Sequence, residues 1–488
     1  MDRAMSWSGR TVCLLGFLAF ASACGEKVDG QIAIELILPC SPSQSDLTGD
    51  VELYCIAVED RYGQEIDSSC SHEIATVELR AAETSTPVFV VVRGLAGDMP
   101  VFQGRSAPVS LVSGEEATVA VPVCTVGHFS VVAGDMGGCQ PLPVPLWGHT
   151  ATVFPSGHVL TVGTAYEGAD PARAALLLDP YTQRATGLST PDAVMRSGHA
   201  AALLEDGRLL AIGGLTRLGS PADKMAMLRG AEPMIHAYDI AQDYAGQLSF
   251  EFIAMAEARP RPSAEVFFGQ DVLVASGQRL GPELFRGGEE ASGMVEVTGD
   301  PFGTAGTPSV FALDEDSGLV IGGAADRLGS LVVDEDDRQA NYADLGASLP
   351  SWDRPSGFAL EDGRVAVIGS GQDASRISIV VIDTDGLVEE IETPSDFPRA
   401  GHASTRLPDG RIFVTGGSGG GGSGYETWLV DPVRGRCDPG PEMHAARGLH
   451  TAGLLPDGRV VVIGGRDPGA MPGDGPGEAS YSVEMIAF

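Results

Sequence analysis

Lysine is almost missing: the chain has two in 488 residues, Lys27 and Lys224. Lysine and arginine together number 31 against 66 aspartates and glutamates, a formal net charge of −35. A surface of that sign repels polyphosphate, so nucleic acid is excluded as a partner. It also disfavours unassisted docking onto anionic lipid. No two cysteines stand close enough for a C-x-x-C metal pair. No D-x-D-x-D-G calcium loop occurs, although Asp334-Glu-Asp-Asp337 is acidic. No apolar run is long enough to span a bilayer as a helix. Metals and cofactors are therefore not expected. Glycine (65) and proline (32) are plentiful, and 43% of residues are hydrophobic, which favours short strands joined by many turns around a large core.

The N-terminus reads as an address. Arg3 and Arg10 precede the apolar run Thr11 to Ala23, which is of signal-peptide length. It ends in Ala21-Ser22-Ala23-Cys24. Small residues before a cysteine resemble the lipobox of bacterial lipoproteins, although the commonest form has Leu where Ala21 stands. The resemblance implies cleavage before Cys24 and a lipid on its sulfur, hence export to the cell envelope with membrane attachment through that lipid alone.

Without Cys13 and Cys24, six cysteines remain: Cys40, Cys55, Cys70, Cys124, Cys139 and Cys437. An even number in an exported chain reads as disulfides, with the connectivity open.

Residues 24–135 contain four partly alternating, β-branched runs, Ile32–Leu38, Val51–Val58, Pro87–Arg93 and Ala117–Val123. They predict a small Ig-like β-sandwich. His72 and His128 are isolated there.

From Trp147 onward the chain repeats. Apolar runs end in glycine at Gly163, Gly213, Gly277, Gly322, Gly369, Gly416 and Gly464, at intervals of 50, 64, 45, 47, 47 and 48. His149, His199, His402 and His450 each stand fourteen residues before that glycine, and Arg196, Arg399 and Arg447 stand three residues earlier still. A Pro-Ser-Gly, Glu-Asp-Gly or Pro-Asp-Gly turn lies between. An Asp-Gly turn of type I′ predicts His199 opposite Gly214, His402 opposite Gly417 and His450 opposite Gly465. A third strand, often closed by Asp, and a fourth complete a meander. R-x-x-H…L-x-D-G-R-V-x-V-x-G-G resembles the bacterial kelch repeat, and seven copies imply a seven-bladed β-propeller over 140–488. The fold expected is thus all-β, an N-terminal β-sandwich followed by a kelch-type propeller. The last copy stops at its third strand, so the segment around Cys139-Gln-Pro-Leu-Pro-Val is expected to supply its fourth. A Cys139–Cys437 disulfide is expected to pin that closure.

Long connections gather between strands two and three of copies 1, 2, 6 and 7, and mark one face as a place to bind a protein or a glycan. The candidate contacts are Tyr166, Arg217, Arg229, Tyr425, Trp428, Arg466 and Asp467. The recurring histidines and arginines are expected to serve the blades, because one metal site rarely draws the same strand position from consecutive units. The kelch class includes galactose oxidase, whose copper site needs two tyrosines, two histidines and a Tyr–Cys thioether. Cys139 and Cys437 stand in neither a first nor a second strand, and no Tyr-His pair occurs, so that activity is not carried over and remains the alternative. Gly417, Gly419 and Gly422 satisfy G-x-G-x-x-G, but a strand follows where a dinucleotide site needs a helix. No α/β context surrounds the run for a nucleophile elbow either.

Overall fold

The computed structural model describes residues 11–16, 20–21, 27–28, 31–40, 49, 51–60, 63–72, 88–109, 116–132, 139, 141–163, 174–188, 190–216, 220–229, 249–275, 282–287, 293–296, 308–322, 327–334, 340–349, 352, 355–370, 377–398, 400–417, 423–467 and 481–488. Cys24, Tyr166, Arg217 and Arg399 lie outside them. Among the described residues there is no α-helix, only one 3-10 turn at Asp192–Val194.

The N-terminal unit is built from β1 (Thr11–Gly16), β2 (Phe20–Ala21), β3 (Lys27–Val28), β4 (Gln31–Ile37), β5 (Leu53–Glu59), β6 (Glu65–Ser71), β7 (Phe89–Ala96), β8 (Met99–Arg105) and β9 (Glu116–Thr125). The sandwich expected here is instead one connected seven-stranded sheet in the order β1-β4-β9-β8-β7-β5-β6, with β2 paired to β3 beside it. The connection is β9. Its first part runs parallel to β4, from Gln31↔Glu116 to Ile37↔Pro122, and its last three residues pair antiparallel to β8. A ten-residue strand that changes partner joins the two leaves, and they share one core. Ile34 and Leu36 of β4 pack with Ile56, Val58, Val90, Val92 and Phe102.

Seven four-stranded antiparallel sheets follow, among the described residues. Sheet 1 comprises Thr150–Val153, Val159–Val162, Ala175–Asp179 and Arg184–Leu188; sheet 2 comprises Ala200–Leu203, Leu209–Ile212, Lys224–Arg229 and Ser249–Ala254. Sheet 3 comprises Ser263–Phe267, Asp271–Ala275, Glu283–Arg286 and Gly293–Glu296; sheet 4 comprises Ser309–Ala312, Ser317–Gly322, Arg327–Val333 and Ala340–Ser348. Sheet 5 comprises Ser356–Ala359, Val365–Ser370, Ile377–Ile382 and Val388–Ile391; sheet 6 comprises Ala403–Arg406, Ile412–Thr415, Thr427–Asp431 and Arg436–Pro439. Sheet 7 takes Thr451–Leu454, Val460–Ile463 and Val483–Ile486, and its fourth strand is β10 (Ser130–Val131), paired at Ser130↔Met485. The closure therefore comes from upstream of Cys139, not from Cys139–Val144, and it uses residues assigned above to the sandwich.

Strand alternation makes this arrangement. Leu209 and Ala211 enter a core shared with sheet 1, whereas Leu210 and Ile212 enter a core shared with sheet 3. Each sheet is thus apolar on both faces, as a sheet sandwiched between two others must be. The shared cores run from sheet 1 to 2, 2 to 3, 3 to 4, 4 to 5, 5 to 6, 6 to 7 and 7 back to 1. Each fully buried Val, Ile or Leu adds about 1.5–3 kcal/mol.

The turn between the first two strands differs from the expected type. Leu204 N–H donates to the Arg208 carbonyl at 2.9 Å and Gly207 N–H to the Leu204 carbonyl at 3.0 Å. Glu205-Asp206-Gly207 is thus a three-residue loop, with Gly207 at φ +86° supplying the left-handed position. The same bonds recur around Gly157, Gly363, Gly410 and Gly458. The centre falls on Asp206, so the register shifts by one residue. Ala200 faces Ile212, which puts the first glycine, Gly213, opposite His199. Asp206 Oδ1 accepts the Arg208 N–H at 3.0 Å and Oδ2 the Arg208 Nε at 2.6 Å. Asp362–Arg364, Asp409–Arg411 and Asp457–Arg459 repeat it. D-G-R is therefore one side-chain clamp.

In sheet 2 the third strand is Lys224–Arg229, within the segment expected to be a two-to-three insertion. The run Ala237-Tyr-Asp-Ile240, which by its closing Asp fits the third-strand pattern, lies outside the described residues. The extra length of copy 2 falls between strands three and four, over residues 230–248.

Cys40 is bonded to Cys139 and Cys55 to Cys70; Cys124 and Cys437 are free. The Cys139–Cys437 expectation is wrong because Cys437 lies in the outermost strand of sheet 6, opposite Val430. Cys139 instead meets the N-terminal unit, where Cys40 N–H donates to the Val131 carbonyl at 2.8 Å. Two disulfides fit an exported, oxidising setting.

Candidate functional site

The residues nearest the middle of the seven-sheet circuit are those leading into each first strand, because first strands of neighbouring sheets pack side by side. Gly198 N–H donates to the Gly148 carbonyl, Gly148 N–H to Leu449 and Leu449 N–H to Gly401, each at 2.8–2.9 Å. These four residues, each directly before a repeat histidine, link sheets 2, 1, 7 and 6 into an arc. All have positive φ, from +57° at Leu449 to +67° at Gly401. The arc explains why Gly or an equivalent precedes His in four copies, a signal the repeat alignment carried unread.

The histidines bridge sheets. His149 Nε2 is 2.9 Å from Thr451 Oγ1 of sheet 7, His199 Nε2 is 2.9 Å from Thr150 Oγ1 of sheet 1, and His450 Nε2 is 2.8 Å from Thr415 Oγ1 of sheet 6. Each ring sits against the first glycine of the preceding sheet: a Cβ on Gly464 would stand 3.2 Å from His149 Cε1, and one on Gly416 would stand 2.8 Å from His450 Cε1. The second glycine instead makes room for the histidine's own Cβ, as at Gly417 and His402, 3.1 Å, and at Gly465 and His450, 2.7 Å. Burial holds His149 down at about 3 and His402 at about 4, and His450 well below the usual range. At neutral pH they are uncharged spacers.

The arginines brace the same sheet from below. Arg196 donates from Nη1 to the carbonyls of Ala211, Gly213 and Lys224 at 3.0–3.2 Å. Arg447 donates to Ser482 Oγ and Glu484 Oε1, each at 2.7 Å. Both are buried, and a third arginine of the kind was missed. Arg259 is fully buried, forks onto Glu283 Oε2 at 2.9–3.0 Å, and offers its carbonyl to Gly214 N–H at 2.7 Å. It stands one residue out of register in copy 3, which hid it. Trp352 fills the corresponding position of copy 5 and packs on Gly369.

Two of the candidate loop residues, Trp428 and Arg229, stand apart from the others. Trp428 is 4% exposed and stacks on Phe397, so it belongs to the core between sheets 5 and 6. Arg229 ends the third strand of sheet 2 on the far face and pairs with Glu251 at 2.9 Å. Tyr425 is 40% exposed ahead of the third strand of sheet 6. Asp467 is exposed and Arg466 half-buried, just after the second strand of sheet 7. Arg466 carries its guanidinium over the Trp147 ring, 5.4 Å from the centroid. Trp147 was not among the candidates, yet its Nε1–H is buried without a hydrogen-bond partner.

No family model matches the chain, and no curated protein matches it. A solved structure does. A fungal alcohol oxidase of the AA5 family, determined in complex with copper, aligns over 70% of this chain and 74% of its own, with a TM-score of 0.52 and 16% identity. The fold is galactose oxidase-like and rich in β-strand. At that identity the likeness reaches the fold alone.

Among the described residues the side chains do not fit copper. Among the described residues no three His, Cys, Asp or Glu groups converge on one point. His149, His199 and His450 are each committed to a threonine. Burial lifts the Cys124 thiol to about 11 and the Cys437 thiol to about 12, so neither is a ready thiolate.

Proposed function

We propose that this protein is an exported, lipid-anchored binding protein of the cell envelope. Its seven sheets act as the blades of a kelch-type propeller carried behind an N-terminal β unit. In this reading Cys24 bears the lipid, and cleavage before it removes β1 and leaves β4 as the sheet edge. The ligand is a protein or a glycan, taken at the face bearing Tyr425, Arg466 and Asp467, with Trp147 added. Tyr166 and Arg217 belong to the same proposal.

One observation carries the proposal. At the junction of sheets 7 and 1 the half-buried Arg466 carries its guanidinium over the half-buried Trp147 ring, a cation on an aromatic face beside exposed Asp467. Around them Nε2 of His149 and His450 and the guanidinium groups of Arg196 and Arg447 are spent on threonines, carbonyls and carboxylates. A rigid base with a few donors suits recognition better than proton transfer. The test is a panel of immobilised envelope glycans and proteins probed with the purified chain. Binding is expected to weaken roughly tenfold with Trp147→Ala, which removes the aromatic face under Arg466, a cation–π contact being worth about 0.5–2 kcal/mol.

The second reading, a carbohydrate-active or oxidoreductase enzyme of the galactose oxidase-like class, is favoured only by the structural likeness. Stoichiometric copper in the purified protein together with turnover of sugar alcohols would establish it and displace the binding proposal.

A further inference from the structure

The face opposite the long connections holds a cavity of about 440 Å³ between the N-terminal unit and the first turns of sheets 1 and 7. Arg93, Arg105 and Arg459 line it together with Glu59 and Asp457. Three guanidinium groups against two carboxylates leave one positive charge, in a chain whose net charge is −35. Val91, Pro155 and Pro456 supply apolar wall.

The arginines are not equally engaged. Arg459 is clamped by Asp457, with Nε 2.8 Å from Oδ2, and donates to the Pro122 carbonyl at 3.4 Å. Arg93 is 41% exposed at the side chain and lies 3.5 Å from Glu59 Oε1. Arg105 is 6% exposed, with its guanidinium 3.7 Å from the Phe89 ring centroid. Its Nε is buried and ion-paired with Glu59 Oε2 at 3.7 Å, beyond hydrogen-bond reach, and its guanidinium also engages the Tyr181 hydroxyl. Arg93 is thus the most available of the three, and Glu59 is shared between it and Arg105, so neither guanidinium has a full set of acceptors.

We infer that this cavity binds a small organic monocarboxylate, of the size of a sugar acid, with its carboxylate on Arg105 and Arg93. The planar fork of arginine matches a carboxylate in two-point contact. One surplus positive charge suits a monoanion, whereas a dianion would crowd against Glu59 and Asp457. The volume lies in the range of small-molecule sites, and the apolar walls receive the uncharged body. The inference is independent of the binding face proposed above, since no residue is shared.

The test uses the full chain at constant ionic strength with glucuronate as the probe, and chloride and sulfate as controls. Glucuronate is expected to raise Tm saturably. It is also expected to slow phenylglyoxal modification of Arg93 at least threefold by peptide mass mapping, leaving exposed Arg436 unchanged. Arg105→Gln is expected to abolish the Tm shift. The Arg93 protection is read on the unaltered protein, so failure of the variant to fold leaves the test intact. Absence of protection, or equal protection by sulfate, overturns the inference.

Discussion

Single residues hold this molecule in ways that a pattern of hydrophobic positions does not anticipate. Gly401 sits at φ +67° and a Cβ there would stand 3.2 Å from the Leu449 backbone nitrogen, whereas at Gly410, φ +86°, a Cβ would meet nothing within 4 Å. Both glycines carry the left-handed penalty, but only the first interrupts the arc of backbone hydrogen bonds. Gly401→Ala is expected to cost about 2–3 kcal/mol and Gly410→Ala about 1 kcal/mol, measured by urea unfolding. Protonation is a residue-scale matter too. The folded-state pKa of His149 is depressed to about 3 from an unfolded value near 6.5. Its stabilisation is complete above pH 6.5 and is lost as pH falls toward 3, by about 1.4 kcal/mol per unit. His149→Gln should therefore flatten the acid limb of the stability curve by close to one proton. Glu265 works in the opposite direction. Burial lifts its carboxyl from 4.5 to about 7, so its contribution is intact below pH 4.5 and is lost as pH rises through 7. Glu265→Gln should match the parent at pH 4 and exceed it by roughly 1–3 kcal/mol at pH 8.

Strands are tied to one another by buried charge as much as by ladders. The Arg259–Glu283 pair joins the approach to sheet 3 with its third strand, at 0% and 1% side-chain exposure. Arg259→Met strands a buried carboxylate and is expected to cost about 3–5 kcal/mol by calorimetry. The double variant Arg259→Met/Glu283→Leu should recover most of that loss, because the desolvation cost disappears along with the attraction. At this scale much was legible. The four N-terminal runs became β4, β5, β7 and β9, and the glycine-terminated runs became second strands. What failed was finer. The hairpin register moved by one because Asp206 uses its carboxylate on Arg208, which closes a three-residue loop. The third strand of copy 2 moved because Lys224–Arg229 reads as polar-ended and short beside a long insertion. β6 was overlooked because Glu65–Ser71 is an exposed edge strand with little apolar signal.

For the molecule as a whole, the decisive couplings cross the boundary between the N-terminal unit and the seven sheets. Three of them are the Cys40–Cys139 disulfide, the pairing of β10 with Val483–Ile486, and the bond from Gly127 N–H to the Ala487 carbonyl at 2.8 Å. The chain ends of the repeat array are thereby fastened to each other and to the domain before them. Non-reducing peptide mapping is expected to show Cys40–Cys139 and Cys55–Cys70, with Cys124 and Cys437 as thiols. Replacing Cys40 and Cys139 by serine removes a cross-link over 99 residues and is expected to cost about 4 kcal/mol, visible as a lower Tm.

The sequence by itself determined the all-β class and the period of the array, because strand alternation and turn chemistry are local and repeat in register. It also carried the lipobox-like end. Only the tertiary structure decided which cysteines meet, where the last sheet finds its fourth strand, and that Trp428 is core while Trp147 is not. It alone gathered Arg93, Arg105 and Arg459 around one cavity. Those facts depend on residues hundreds of positions apart, and no local propensity encodes which of many arginines will face one another once the sheets close their circuit.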